Sequence, residues 1–202
     1  MLADCKAPVL FWSGGKDSFL AFDAIRGEAP VLLTSYDPAT GVVPHQEIAI
    51  DHIRAQATAL GRPLIEVPLA QPCPNDRYIA AIEAALGEAC ELVFGDLHLA
   101  DIRAWREASF PSHRCRFPLW QLPYDRLLSR LWHLDRRITV SGVRADLRPC
   151  IAVGARYDAA FVKALPPELD AMGERGEFHT MVDAGAMPAS ALAADQVLNE
   201  RR

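Results

Sequence analysis

Long apolar runs are missing from this chain: no stretch approaches the roughly 20 residues a membrane-spanning helix needs, so no membrane association is expected. The opening MLADCKAPVLFW has no basic segment leading into a long apolar one. No secretion signal is therefore expected, and the cytoplasm is the expected location. Paired cysteines are missing too. Cys5, Cys73, Cys90, Cys115 and Cys150 are odd in number, scattered and never spaced as CxxC, which signals neither a zinc knuckle nor a redox pair. Reduced thiols are the reading they support. A basic excess is also absent: 21 Lys and Arg against 26 Asp and Glu leave a net charge of −5. That balance argues against a broad nucleic-acid surface, which needs clustered cations, and the terminal Arg201 and Arg202 read as a solvated tail. There is no internal repeat and no low-complexity linker.

What is present is the composition of an ordinary folded protein, with 50% hydrophobic and 23% charged residues over 202 positions. Residues 8–12, PVLFW, read as a short buried strand. Two glycines follow, and a helix begins at Lys16, with Phe19, Leu20, Phe22 and Ile25 as its apolar stripe. Residues 30–36 are a second strand, residues 45–60 a helix stopped by Gly61 and Pro63, and residues 63–69 a third strand. Asn75 is expected to cap a helix reaching Gly87, and residues 91–96 make a fourth strand.

This alternation of strand and helix predicts an α/β, Rossmann-like, doubly wound parallel sheet with helices on both faces. After residue 101 the texture changes: a helix capped by Asp101, a loop, a second helix carrying Leu127, Leu128, Leu131 and Leu134, a strand over 137–143, and then mostly loop. The expected organisation is a nucleotide-binding core over 1–100 and a small α+β substrate lobe over 101–202, packed together. Ligands of such sheets bind outside the carboxyl ends of the strands, where segments 13–18, 36–45 and 95–101 would converge.

The turn SGGKDS (13–18) carries the chemistry. Gly14 and Gly15 let backbone amides approach a ligand without Cβ interference, and the helix N-terminus favours an anion there. Ser13 and Ser18 add hydroxyls, and Lys16 adds a positive charge. Asp17 is left with two roles, ligating Mg²⁺ on phosphates or satisfying first-turn amides. The spacing is neither GxxxxGK[ST] nor GxGxxG, so neither the Walker nor the dinucleotide loop is indicated.

The turn resembles the PP-loop, SGGxDS, of ATP pyrophosphatases in the adenine nucleotide alpha-hydrolase superfamily. Downstream, VPHQEIAIDHIRAQATALGRPLIEVPL, VFGDLHLADIRAWRE, PLW and GERGEFHTMV are similar, in that order, to segments of the diphthine–ammonia ligase family. The resemblance spans residues 8–182. It implies binding of ATP and Mg²⁺, adenylation of a carboxylate with release of pyrophosphate, and attack by ammonia on the acyl-adenylate. On this resemblance Ser13, Gly14, Gly15, Lys16, Asp17 and Ser18 hold the nucleotide with His45 near its ribose or base. Lys16, Asp96, Glu174 and Glu177 act in catalysis, and Gly95, His98, Gly176, His179 and Thr180 meet the substrate. Bracing roles stay open beside these: Asp96 as a loop or helix-capping carboxylate, His98 as a structural imidazole, and residues 173–180 as a solvated turn. His52 falls on an apolar helix face and is taken as structural.

One departure matters. Members that make diphthamide carry a segment near GEGGEYET, whereas here Arg175 replaces a glycine and His179 stands where that group has Glu. The chain resembles the bacterial branch, whose acceptor is a small-molecule or protein-borne carboxylate other than diphthine; a homodimer is compatible with this resemblance. Two other classes share the loop: tRNA-modifying enzymes, marked by a nucleophilic cysteine or a basic surface, and non-catalytic ATP- or AMP-binding modules.

Overall fold

Alternate residues of the short apolar strands enter two different cores, as a sheet covered on both faces requires. Leu10, Leu32 and Val93 pack with Phe19, Ile53, Leu127 and Phe178, while Val9, Leu33, Val67 and Leu92 pack with Ile82, Phe94 and Phe110. Burying each such side chain contributes about 1.5–3 kcal/mol. The structure, a computed structural model, describes residues 7–183 and Gly185. Cys5 and the Arg201–Arg202 pair lie outside them.

The chain runs β1 (Val9–Phe11), α1 (Lys16–Ile25), β2 (Val31–Tyr36), β3 (Val42–Val43), β4 (Ile48–Ala49), α2 (Ile50–Leu60), β5 (Leu64–Pro68), α3 (Asn75–Leu86), β6 (Glu91–Val93), α4 (Ala100–Ser109), β7 (Arg114–Arg116), α5 (Tyr124–His133), β8 (Ile138–Val143), α6 (Ala159–Ala164) and β9 (Phe178–Val182). Five strands form one sheet in the order β5-β2-β1-β6-β7, and every pairing in it is parallel. Residues of α1, α2 and α5 enter the first core, and Ile82 of α3 and Phe110, just after α4, enter the second. This is the α/β, Rossmann-like architecture expected. Strands β8 and β9 form a separate antiparallel ribbon whose Val140, Phe178 and Val182 join the first core. Among the described residues no helix is long and apolar enough to cross a membrane.

Four boundaries differ from expectation. The helix expected from His45 starts at Ile50, because residues 42–49 form the β3–β4 hairpin instead. His45 and Glu47 both take positive φ (66° and 55°) in its turn, a conformation that no helix continues. Asn75 is the first residue of α3, with Pro74 in the cap position, and Asp101 lies in the first turn of α4 rather than at its cap. Strand β6 ends at Val93. The fifth strand, β7, was not foreseen: its RCR sequence has no apolar alternation, and an edge strand tolerates such charge.

Buried polarity also holds the layers. Arg130 of α5 donates two hydrogen bonds, of 2.5 and 2.8 Å, to the carboxylate of Asp23 on α1. Both side chains are almost fully buried.

Candidate functional site

Strand β1 has β2 on one side and β6 on the other, so the crossovers diverge from it and open a crevice at its carboxyl end. Two loops face each other there, residues 12–18 after β1 and residues 94–99 after β6. Their approach is close: a Cβ on Gly95 would lie 2.9 Å from the carbonyl carbon and oxygen of Asp17. Beside this contact opens a cleft of about 580 Å³. Ser13, Asp17, Ser18, His45, Asp96 and Glu174 give it a polar wall, and Phe11, Leu33, Leu69, Phe94, Tyr78 and Trp105 an apolar one.

The turn is shaped from outside. Gly14 takes φ +81°, and a Cβ there would meet Ile53 Cδ1 at 2.5 Å and Gln56 Oε1 at 2.8 Å. A Cβ on Gly15 would come within 2.8 Å of the Thr180 carbonyl oxygen. Strand β9 thus lies directly against the turn. Thr180 Oγ1 accepts the Lys16 amide at 3.1 Å, and the Val182 amide donates to the Gly14 carbonyl at 3.0 Å. The hydroxyl of Ser18 donates to the Gly15 carbonyl at 2.9 Å, and Ser13 Oγ lies 3.4 Å from the Gly15 amide. A helix start leaves its first amides without intrahelical partners. That of Lys16 is taken by Thr180, and those of Asp17 and Ser18 have no partner outside the helix among the described residues.

Lys16 does not offer a free charge to the cleft, contrary to expectation. Its side chain is 3% exposed, its Nζ is 2.8 Å from Asp17 Oδ2, and it sits 5.8 Å from the centre of the Tyr157 ring. Asp17 Oδ2 is thereby taken up by the Lys16 ammonium. Its other oxygen, Oδ1, is buried with no hydrogen-bond partner among the described residues, and so is Thr34 Oγ1 on the same cleft. Buried polar atoms of this kind are ordinarily paired, so both are suited to a ligand.

Asp96 lines the cleft but is held by Arg106, whose Nε and Nη2 donate to its two oxygens at 2.5 and 3.2 Å. The Arg106 guanidinium in turn lies 4.4 Å from the Phe94 ring centre. Glu174 is the cleft carboxylate with the most altered chemistry: burial first, and the Asp17 carboxylate second, push it up to about 7. His45 projects from the β3–β4 turn and borders the cleft.

The remaining expected residues stand behind the cleft rather than in it. Glu177 is buried, and its oxygens accept the amides of Asp170 (3.1 Å) and Arg175 (3.0 Å), so its carboxylate braces the 170–177 loop and is not presented to a substrate. Gly176 is an exposed turn residue at φ +76°. His98 lies 3.1 Å from the Tyr124 hydroxyl, which donates to Asp170 at 3.0 Å. His179 sits 3.4 Å from Gln46 Nε2; burial, then the Lys16 and His45 charges, lowers its pKa and keeps it neutral near pH 7. Thr180 is buried under the turn as its amide acceptor. His52, taken as structural, bonds the Val182 carbonyl at 2.9 Å.

Sequence reasoning passed over Gln56, Arg106, Tyr124 and Asp170. Gln56 and Arg106 read as ordinary polar positions on amphipathic helices. Only the burial of Gln56 on the face shared with Ile53 and Ala57 hints at its role. Tyr124 and Asp170 sit at segment ends whose partners are remote in the chain.

No family model matches the chain, and no curated protein matches it. A solved structure described as "predicted subunit of tRNA methyltransferase from Methanocaldococcus jannaschii DSM" is similar at 19% identity. That match covers 87% of this chain and 95% of the other, with a TM-score of 0.41. The fold assignment stands on this chain's own strand order and pairings.

Proposed function

We propose that the cleft binds ATP with its polyphosphate on the 13–18 turn. In this reading the protein is an ATP-dependent C–N ligase of the diphthine–ammonia ligase type. The observation that supports this best is the turn itself: two glycines that tolerate no Cβ, leftover first-turn amides and two serine hydroxyls, all at the switch point of a parallel sheet.

In this reading a carboxylate oxygen of the acceptor attacks the α-phosphorus, the bond between α- and β-phosphates breaks, and pyrophosphate leaves. The turn amides stabilise the charge that builds on it, which is electrostatic rather than covalent catalysis. Ammonia then attacks the acyl carbon and AMP departs. Glu174, poised near neutrality, takes the proton that the attacking nitrogen releases. Lys16 neutralises Asp17 from beneath and keeps the turn from repelling phosphate. Mg²⁺ fits as the counter-ion of the phosphates, with Asp17 Oδ1 the oxygen to hold it. No three His, Cys, Asp or Glu among the described residues form a metal cage, so the other ligands would be phosphate oxygens and water. When bound, the ion supplies charge neutralisation.

The acceptor is a carboxylate carried by a small molecule or a protein, taken from the side of Glu174 and Asp96. Arg175 and His179 stand against diphthine itself. The test is product analysis with candidate acids and ammonium. Formation of AMP and pyrophosphate that requires both supports the ligase; ADP and phosphate would refute it, and nucleotide binding without turnover would favour a sensor module. A second reading rests on Cys73, a half-buried free thiol on the cleft wall: sulfur transfer to tRNA through the same adenylation. Salt-sensitive retention of tRNA by the purified protein would favour it.

A further inference from the structure

We infer that Gln56 is a positioning residue for the polyphosphate turn: with the Val182 amide it holds the Gly14 carbonyl toward α2 and β9, and so turns the Gly15 amide to Ser13 on the cleft wall. This rests on the nucleotide reading of the cleft.

The peptide joining Gly14 to Gly15 is flanked by two residues without Cβ, so sterics alone leave it free to flip. The two orientations are not equivalent for an anion. In a trans peptide the N–H points opposite to the C=O, so one orientation offers a donor and the other a carbonyl dipole that repels phosphate. The choice is made by groups remote in sequence. Gln56 Nε2 donates to the Gly14 carbonyl at 3.0 Å, and the Val182 amide donates to the same oxygen at 3.0 Å. Held there by two donors, the carbonyl faces α2 and β9. The Gly15 amide is turned to Ser13 Oγ, to which it donates at 3.4 Å, and it is Ser13 that lines the cleft, where an anion could compete for this long bond.

Gln56 is itself fully committed. It is 2% exposed, its Nε2 also donates to the Val182 carbonyl at 2.7 Å, and its Oε1 accepts from Trp12 Nε1 at 2.9 Å. One planar amide thus ties Trp12 just after β1, the turn and β9 together, and it needs an acceptor and two donors at once. Glutamate has the shape without the donors and would face two carbonyls. Methionine has the length without either.

The experiment separates positioning from simple support. Binding of inorganic pyrophosphate and of adenosine is measured by calorimetry for the intact chain, for Gln56→Met and Gln56→Glu, and for Ile82→Val, in the second core, as a stability control. Each titration is run well below that protein's melting temperature. Positioning requires pyrophosphate affinity to fall at least tenfold in both Gln56 variants, with adenosine affinity within twofold of the parent. Ile82→Val should melt earlier and bind pyrophosphate normally. Gln56 variants that bind pyrophosphate as the parent does overturn the positioning role and leave the nucleotide reading standing. A parent that binds neither pyrophosphate nor ATP overturns both. Should the Gln56 variants fail to fold, the ¹⁵N-labelled parent decides: the Gly15 amide resonance must shift on saturation with pyrophosphate, and its failure to move refutes the inference.

Discussion

Thr180 accepts the amide hydrogen of Lys16 at 3.1 Å, a contact between residues 164 apart in the chain. It occupies the first amide of α1 and brings the GERGEFHT segment against the 13–18 turn as a brace. Removing the hydroxyl should therefore loosen the turn without emptying the cleft. Thr180→Val is expected to weaken ATP binding about fivefold, the equivalent of about 1 kcal/mol for one hydrogen bond, while Thr180→Ser retains it. Equilibrium binding of ATP to the two variants checks this.

Gly14 to Ala adds a Cβ 2.5 Å from Ile53 Cδ1 at a φ of +81°. Left-handed strain and overpacking add, so a loss of about 2–4 kcal/mol in urea unfolding is expected. Gly41, also at positive φ but with open space around it, should lose only the strain.

Asp23 accepts from Arg130 in the core and also from Arg26 at 3.2 Å. Asp23→Ala leaves the Arg130 guanidinium charged in the core and should cost about 3 kcal/mol or more, whereas Asp23→Leu combined with Arg130→Met removes both core charges and should recover part of that loss, the contact to Arg26 still being lost. Chemical denaturation of the parent and the two variants measures it.

Glu177 accepts two backbone amides with a charged carboxylate. Glu177→Gln places an NH₂ group against one of those donors and should cost about 1–3 kcal/mol of stability. Protease sensitivity in the 170–177 loop should rise in proportion.

Glu174 gives a pH signature. Its folded pKa of about 7 lies above the ordinary carboxylate value, so between roughly pH 4.5 and 7 the folded protein binds more protons than the unfolded chain. Stability from this group is present below that window and is lost as pH rises through 7. Glu174→Gln should flatten the slope and be more stable than the parent at pH 8 by about 1–2 kcal/mol, allowing for solvent screening. Melting temperatures from pH 4.5 to 8.5 provide the measurement.

The sheet and the turn were legible in the chain because their determinants are local. A buried parallel strand is a short apolar run, and a turn that admits a backbone close to an anion needs glycine, so PVLFW and SGGKDS announce themselves. Residues 45–49 of the hairpin carry a helical periodicity in sequence, because the signal that breaks it lies in two non-glycine residues at positive φ, which periodicity does not register. Glu177 was read as a reacting group because a carboxylate in a glycine-rich loop carries no mark of which amides it faces.

By itself, then, the sequence determined the strand-and-helix alternation, the crevice at the first strand and the chemistry of the turn, all set by neighbours a few positions apart. Tertiary structure alone decided which polar groups stay free for a ligand. Lys16 is spent on Asp17, Asp96 on Arg106 and Glu177 on two amides, while Glu174 and Asp17 Oδ1 remain. A buried polar group must find a partner wherever the fold places one, and that partner is set by packing in space rather than by order along the chain.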